Sequence, residues 1–209
     1  MAKDGSITRN GIIDTAMSLA LQQGLVGTSI DEVIDAAGIT KGTFYYHFSS
    51  KKDLAKILIE KFSSMEIDIL EQNMDLAIHS SNDPLQQLIK FVQLIQELHK
   101  QIDKKHIGCL FASYSYENQL IDKHFNKIAT DTIKAWNKCL SEKIEEIVKK
   151  YPPRFSIDPE KLAEMFLVTL EGAYVLERVT DCPGLVQAHL EQYKIYLQAL
   201  FQSNNNTDK

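Results

Sequence analysis

Long apolar runs are missing from this chain of 209 residues. No stretch approaches the roughly 20 consecutive apolar residues that span a bilayer, so no membrane partner is expected. The opening Met1-Ala-Lys-Asp-Gly-Ser6 lacks the charged-then-apolar order of a secretory leader. Cysteine is scarce: Cys109, Cys139 and Cys182 are odd in number and widely spaced, which argues against a disulfide framework. These absences together predict a soluble protein of a reducing, cytoplasmic compartment. Catalytic signatures are missing too. There is no Gly-x-Ser-x-Gly elbow, no phosphate-binding glycine loop and no His-Glu-x-x-His helix. His99, His106 and Cys109 are too loosely spaced to make a metal site. Neither an enzyme nor a cofactor is expected.

What remains is helical spacing along almost the whole length, with no convincing period-2 strand. A hydrophobic content of 44% can supply a sizeable core, as one or two small domains. Ile12, Ile13, Ala16, Leu19 and Ala20 form one stripe, which ends at Gln23-Gly24. Ser29-Ile-Asp-Glu32 reads as a capping box opening a short helix with Ile30, Val33, Ile34 and Ala37 inward, broken by Gly38. Thr40 caps the next segment, Lys-Gly-Thr-Phe-Tyr-Tyr-His-Phe, where Phe44 and Phe48 recur four apart and should bury together. Tyr45, Tyr46 and His47 are left nearer the surface.

Ser50-Lys-Lys-Asp53 repeats the capping pattern and opens a long helix through Phe62 and Met74. Breaks follow at Ser80–Pro84, at 103–108, at Tyr151-Pro-Pro-Arg and at Asp181-Cys-Pro-Gly184, and Pro159 suits the first turn of a helix. About nine helices result, in an all-α fold. Leu162, Met165, Phe166, Val168, Leu170, Ala173, Val175 and Leu176 wrap much of their helix, which asks for cover on most sides. Leu190, Tyr193, Leu197, Leu200 and Phe201 offer a similar surface on the last helix. Pairing both helices with a second copy would form a four-helix interface; the alternative is that both are ordinary core.

The formal net charge of −5 is unfavourable for generic polyanion binding. Distribution matters more: through Lys52, five acids are matched by Lys3, Arg9, Lys41, Lys51 and Lys52, and three of those bases cluster around the aromatic segment. A helix, a glycine turn and a second short helix followed by a basic helix start can put side chains into a DNA major groove.

These residues resemble the TetR family of transcriptional regulators. The matching pieces are Gly27-Thr28-Ser29-Ile30-Asp31, Ala36-Ala37-Gly38-Ile39, Lys41 to Phe48 and Ser50-Lys51-Lys52-Asp53-Leu54, about a quarter of the chain. The resemblance implies an N-terminal helix-turn-helix head (1–52), a helical regulatory and dimerisation body (53–203) and a polar tail (204–209). It implies a homodimer on double-stranded DNA, reading a pseudopalindrome, as a repressor relieved by a small-molecule inducer or an electrophile. Thr40, Lys41, Thr43, Tyr45 and His47 would approach the groove, although Tyr45 reads equally as packing. Gly42 would let the backbone near DNA, Tyr46 would meet phosphate, and Thr28, Ser29 and Lys51 would sit at phosphate-binding helix ends. By the same resemblance the body holds a ligand pocket, with Phe62, Phe91, Phe111, Tyr114, Trp136 and Tyr174 as candidate lining and Glu171 and Arg178 as polar anchors. Leu94 and Tyr116 are further candidates. Cys109, downstream of Lys104, Lys105 and His106, is a candidate redox sensor, because a helix start and nearby cations favour thiolate; a plain buried cysteine is the alternative. A helical ligand-binding or adaptor protein with a non-functional head is the competing function.

Overall fold

The computed structural model describes residues 2–101, 108–115 and 123–201. Lys104, Lys105, His106, Tyr116 and the tail 204–209 lie outside the described residues. Within them are nine α-helices and no strand, the all-α architecture expected. They are α1 (Ala2–Gly27), α2 (Ile30–Ala37), α3 (Lys41–His47), α4 (Lys51–Ser80), α5 (Pro84–Gln101), α6 (Leu110–Ser115), α7 (Lys123–Lys150), α8 (Pro159–Thr180) and α9 (Leu185–Phe201). α1 does not simply stop at the anticipated glycine. Its backbone leaves helical geometry at Gly24 (φ 80°, ψ 162°) and resumes for a last turn to Gly27. That positive φ is open to glycine at little cost and strained for other residues.

The chain packs as two compact units. The first joins Met1–Glu66 to Asp103–Asp131. Its core includes Ile12 and Ala16 of α1, Val33 of α2, Phe44 of α3, Phe48, Leu58 of α4 and Leu110 of α6, all at most 1% exposed. Burying each large apolar side chain contributes about 1.5–3 kcal/mol relative to exposure. α1 packs on both α2 and α6.

The second unit joins Ile67–Ile102 to Thr132–Lys209. Leu88, Phe91, Val92 and Ile95 of α5 meet Leu140 and Ile144 of α7, Phe166 of α8 and Leu190 of α9 in one core. Three buried aromatics interlock there: Phe91 lies 6.0 Å from Trp136 and 5.9 Å from Phe166, and Trp136 stacks on Phe166. α8 begins as its sequence dictates, with Asp158 accepting from Glu160 and Lys161 N–H and Pro159 at the first helical position.

The two last helices divide their apolar residues differently from expectation. Leu190, Tyr193, Leu197, Leu200 and Phe201 of α9 face this chain's own core and are at most 3% exposed. They are not a surface for another molecule. On α8, Leu162, Phe166, Leu170 and Ala173 are core, while Met165, Val168, Val175, Leu176 and Val179 remain exposed. Those five, with exposed Gly172 among them, recur at the three-to-four spacing of one helical face. The only exposed large apolar residue of α9 among the described residues is Ile195.

Candidate nucleic-acid interface

The helix-turn-helix is built from local signals that the backbone obeys. Ser29 Oγ accepts from Glu32 N–H at 3.1 Å and Glu32 Oε2 accepts from Ser29 N–H at 2.7 Å, completing the capping box of α2. Hydrogen bonds from the Ser29 backbone and side chain hold the Glu32 carboxyl below its ordinary range. Such caps contribute about 1 kcal/mol each. Gly38 ends α2 in the left-handed region (φ 63°), where its N–H and that of Ile39 reach back to the last carbonyls. Thr40 then caps α3, its Oγ1 accepting from Thr43 N–H at 3.1 Å.

α3 is held from beneath. Phe44 and Phe48 are fully buried with rings 5.5 Å apart, and the Arg9 guanidinium lies over the Phe48 ring. What remains outside is the polar face. Tyr46 is 82% exposed, Tyr45 is half exposed with its ring edge-on to Phe44, and His47 and Thr43 are partly exposed. Thr40 and Lys41 are exposed, the two threonine hydroxyls lie 2.9 Å apart, and Lys41 Nζ lies 3.4 Å from Asp31 Oδ1. Both partners of that pair are solvated, so it holds Lys41 only weakly. Gly42 is exposed, and a Cβ there would meet just Thr40 Oγ1, at 3.8 Å. The fold itself therefore does not require glycine at 42.

Two of the expected phosphate contacts also bond the end of α1. Thr28 is only 4% exposed, and its hydroxyl donates to Gly24 C=O at 2.8 Å. Its side chain serves the bend at the end of α1 rather than the surface. Lys51 Nζ donates to Val26 C=O at 3.0 Å, supplying a cation to the C-terminal end of α1. Ser29 is exposed.

The candidate pocket residues fall into the two units. Phe62, Phe111 and Tyr114 belong to the first, where Phe62 packs edge-on to Phe111 and Tyr114 stacks on Phe125 at 4.1 Å. Phe91, Trp136, Glu171, Tyr174 and Arg178 belong to the second. Phe91 and Trp136 fill core space, Glu171 and Tyr174 are partly exposed and Arg178 is exposed. The Trp136 indole N–H is buried with no acceptor among the described residues. Tyr174 instead meets a residue not anticipated as its partner. Its hydroxyl hydrogen-bonds His99 Nε2, while His99 Nδ1 lies 2.7 Å from Ile95 C=O. Burial pushes the His99 pKa down, favouring the neutral ring, whose Nδ1–H donates to the carbonyl and whose Nε2 accepts from Tyr174. Helical spacing held the clue, since 88, 92, 95 and 99 share one apolar stripe. Cys109 is partly buried against the first unit's core immediately before α6, and its carbonyl accepts from Ser113 N–H. Burial raises the Cys139 thiol pKa, and Cys182 is exposed.

Comparison with known proteins agrees with this head. Residues 12–57 match the family described as bacterial regulatory proteins, tetR family. The transcriptional regulator AcuR of Cereibacter sphaeroides is 25% identical over 172 residues, covering 82% of this chain and 77% of that protein. The biofilm operon icaADBC HTH-type negative transcriptional regulator IcaR of Staphylococcus epidermidis is 23% identical over 194 residues, covering 92% and 96%. A TetR-family regulator from Agrobacterium tumefaciens shares the fold with a TM-score of 0.77 at 18% identity, over 95% of this chain and all of that one. The capped helix pair, its outward aromatic face and these relatives agree: residues 12–57 match the DNA-binding head of the tetR family of bacterial regulatory proteins, and the chain as a whole shares the fold of a regulator of that family.

Proposed function

We propose that the chain is a repressor that binds a pseudopalindromic operator as a homodimer and releases it on meeting a small molecule or electrophile. The observation that carries the DNA side is the exposed polar face of α3 over a fully buried Phe44–Phe48 base. Thr40, Lys41, Thr43, Tyr45 and His47 are the proposed groove-facing set, and Tyr46, Ser29 and Lys51 the proposed phosphate contacts. The exposed Met165, Val168, Gly172, Leu176 and Val179 stripe on α8 supports dimerisation through the last two long helices, with Ile195 as the contribution of α9. A second copy would cover apolar area that a lone chain leaves in water. Repressor sign is supported by the named negative regulator among the relatives.

Induction requires a ligand that binds one arrangement of the dimer more tightly than the other. Glu171, Tyr174 and Arg178 of the second unit remain the proposed contacts, and Cys109 the proposed electrophile target. Fluorescence anisotropy with the chain's own upstream DNA, at two stated salt concentrations, tests the reading. Saturable binding that weakens with salt is expected. A folded dimer that ignores this DNA at both salts would favour an adaptor with a silent head. N-ethylmaleimide should release the DNA from the parent chain but not from Cys109→Ser; release from both removes Cys109 from the mechanism.

A further inference from the structure

Between α5 and α9 the second unit opens a cavity of about 520 Å³ whose walls are mainly polar. Small-molecule pockets are usually mostly apolar, so this one selects a different kind of occupant. Its charges are unevenly matched. Lys100 lies 2.6 Å from Glu97, and Lys194, itself only 8% exposed, lies 2.7 Å from Glu191. The hydrogen bond from Lys194 outweighs desolvation and keeps the Glu191 carboxyl below its ordinary range. Three ammonium groups against two carboxylates leave one positive charge. That charge belongs to Lys90, which lines the same space and has no acceptor among the described residues.

The wall is also rigidly held. Gln96 is buried, and its Nε2 donates to Gln187 C=O at 2.8 Å and reaches Glu191 Oε2 at 3.4 Å. The unmatched Lys90 ammonium is therefore what the cavity offers an occupant, since the two carboxylates beside it already have lysine partners.

We propose that this α5–α9 cavity binds a small oxyanion, a carboxylate or phosphate, with Lys90 meeting the charge. The site is separate from the DNA-reading face and does not depend on it. Isothermal titration of the full-length chain without DNA tests it, with citrate and inorganic phosphate as probes and sodium chloride at matched ionic strength. The expected result is one saturable site per chain for at least one probe, and the probe that binds tells carboxylate from phosphate. Lys90→Gln should weaken it about tenfold or more, as loss of a charge-assisted hydrogen bond does. Lys134→Gln, at an exposed lysine elsewhere on the same unit, should leave it unchanged. Saturation by neither probe, full binding by Lys90→Gln, or equal loss in both variants would overturn the proposal.

Discussion

Gly42→Ala separates what the fold requires from what DNA requires. Gly42 is the second residue of α3, its φ is not positive, and an added methyl would meet one atom at ordinary contact distance. Alanine fits this backbone and restricts the unfolded chain, so stability should rise by about 0.4–1 kcal/mol. On DNA the same methyl would stand where the proposed interface brings backbone close. Overpacking a close contact costs about 1 kcal/mol or more per head, and two heads bind together. A loss near 2 kcal/mol corresponds to roughly 30-fold weaker affinity. Thermal unfolding and fluorescence anisotropy on the same preparations measure the two halves. Tighter folding with much weaker binding is expected. Affinity within twofold of the parent, in a variant at least as stable, would refute a close approach at residue 42. A lowered melting temperature would refute the reading of open space.

Asp31→Asn releases Lys41 from its solvated pair and removes an acid beside the proposed interface. DNA affinity should rise by about two- to tenfold at low salt, with the gain shrinking as salt is added; an unchanged affinity would place Asp31 and Lys41 away from DNA. Val168→Asp puts a charge on the exposed α8 stripe without touching the core. Sedimentation should then show monomer where the parent is dimeric, with the helical circular dichroism retained; an undisturbed dimer would move the interface elsewhere. Asp83 makes a pH-dependent contribution to the second unit. Burial disfavours its charge, but hydrogen bonds from Lys150, Tyr151 and Gln86 N–H prevail and bring its pKa down to about 2 from 3.8. A carboxyl more acidic when folded contributes stability above pH 4 that fades as pH falls towards 2. The shift alone would be worth up to about 2.5 kcal/mol, but Lys150 is half exposed, and screening reduces that to about 1 kcal/mol. Asp83→Asn should therefore be less stable than the parent in urea at pH 7, and the gap should narrow by pH 3; a gap independent of pH would contradict the assignment.

Short-range signals made the head legible. Ser29 with Glu32, Gly38 at its left-handed turn, Thr40 as a cap and the Phe44–Phe48 pair are all decided by neighbours within four residues. Side chains whose fate depends on distant chain segments were harder to read. Thr28 looks like a helix-start phosphate contact in sequence, yet the Gly24 bend turns its hydroxyl inward. The apolar stripe of α9 announces burial but not what buries it, and α5, α7 and α8 of the same chain supply the cover. Lys143 sits within the Trp136, Leu140, Ile144 and Ile147 spacing, and lies buried because Gln87 and Glu146 accept its ammonium hydrogens. Glu146 follows at helical spacing, but no pattern announces Gln87, 56 residues away. The pocket candidates were chosen as aromatics on helices, a property core residues share, and Phe91 and Trp136 are indeed core.

Chemical footprinting of the dimer on its own upstream DNA bears most directly on the outward reading face of α3. Two protected half-sites of related, inverted sequence should appear, with centres about 10 base pairs apart or a multiple of that, and protection should vanish with Tyr46→Ala or Gly42→Ala. A stable dimer that protects no paired half-sites, or one whose footprint survives both substitutions unchanged, would contradict the account.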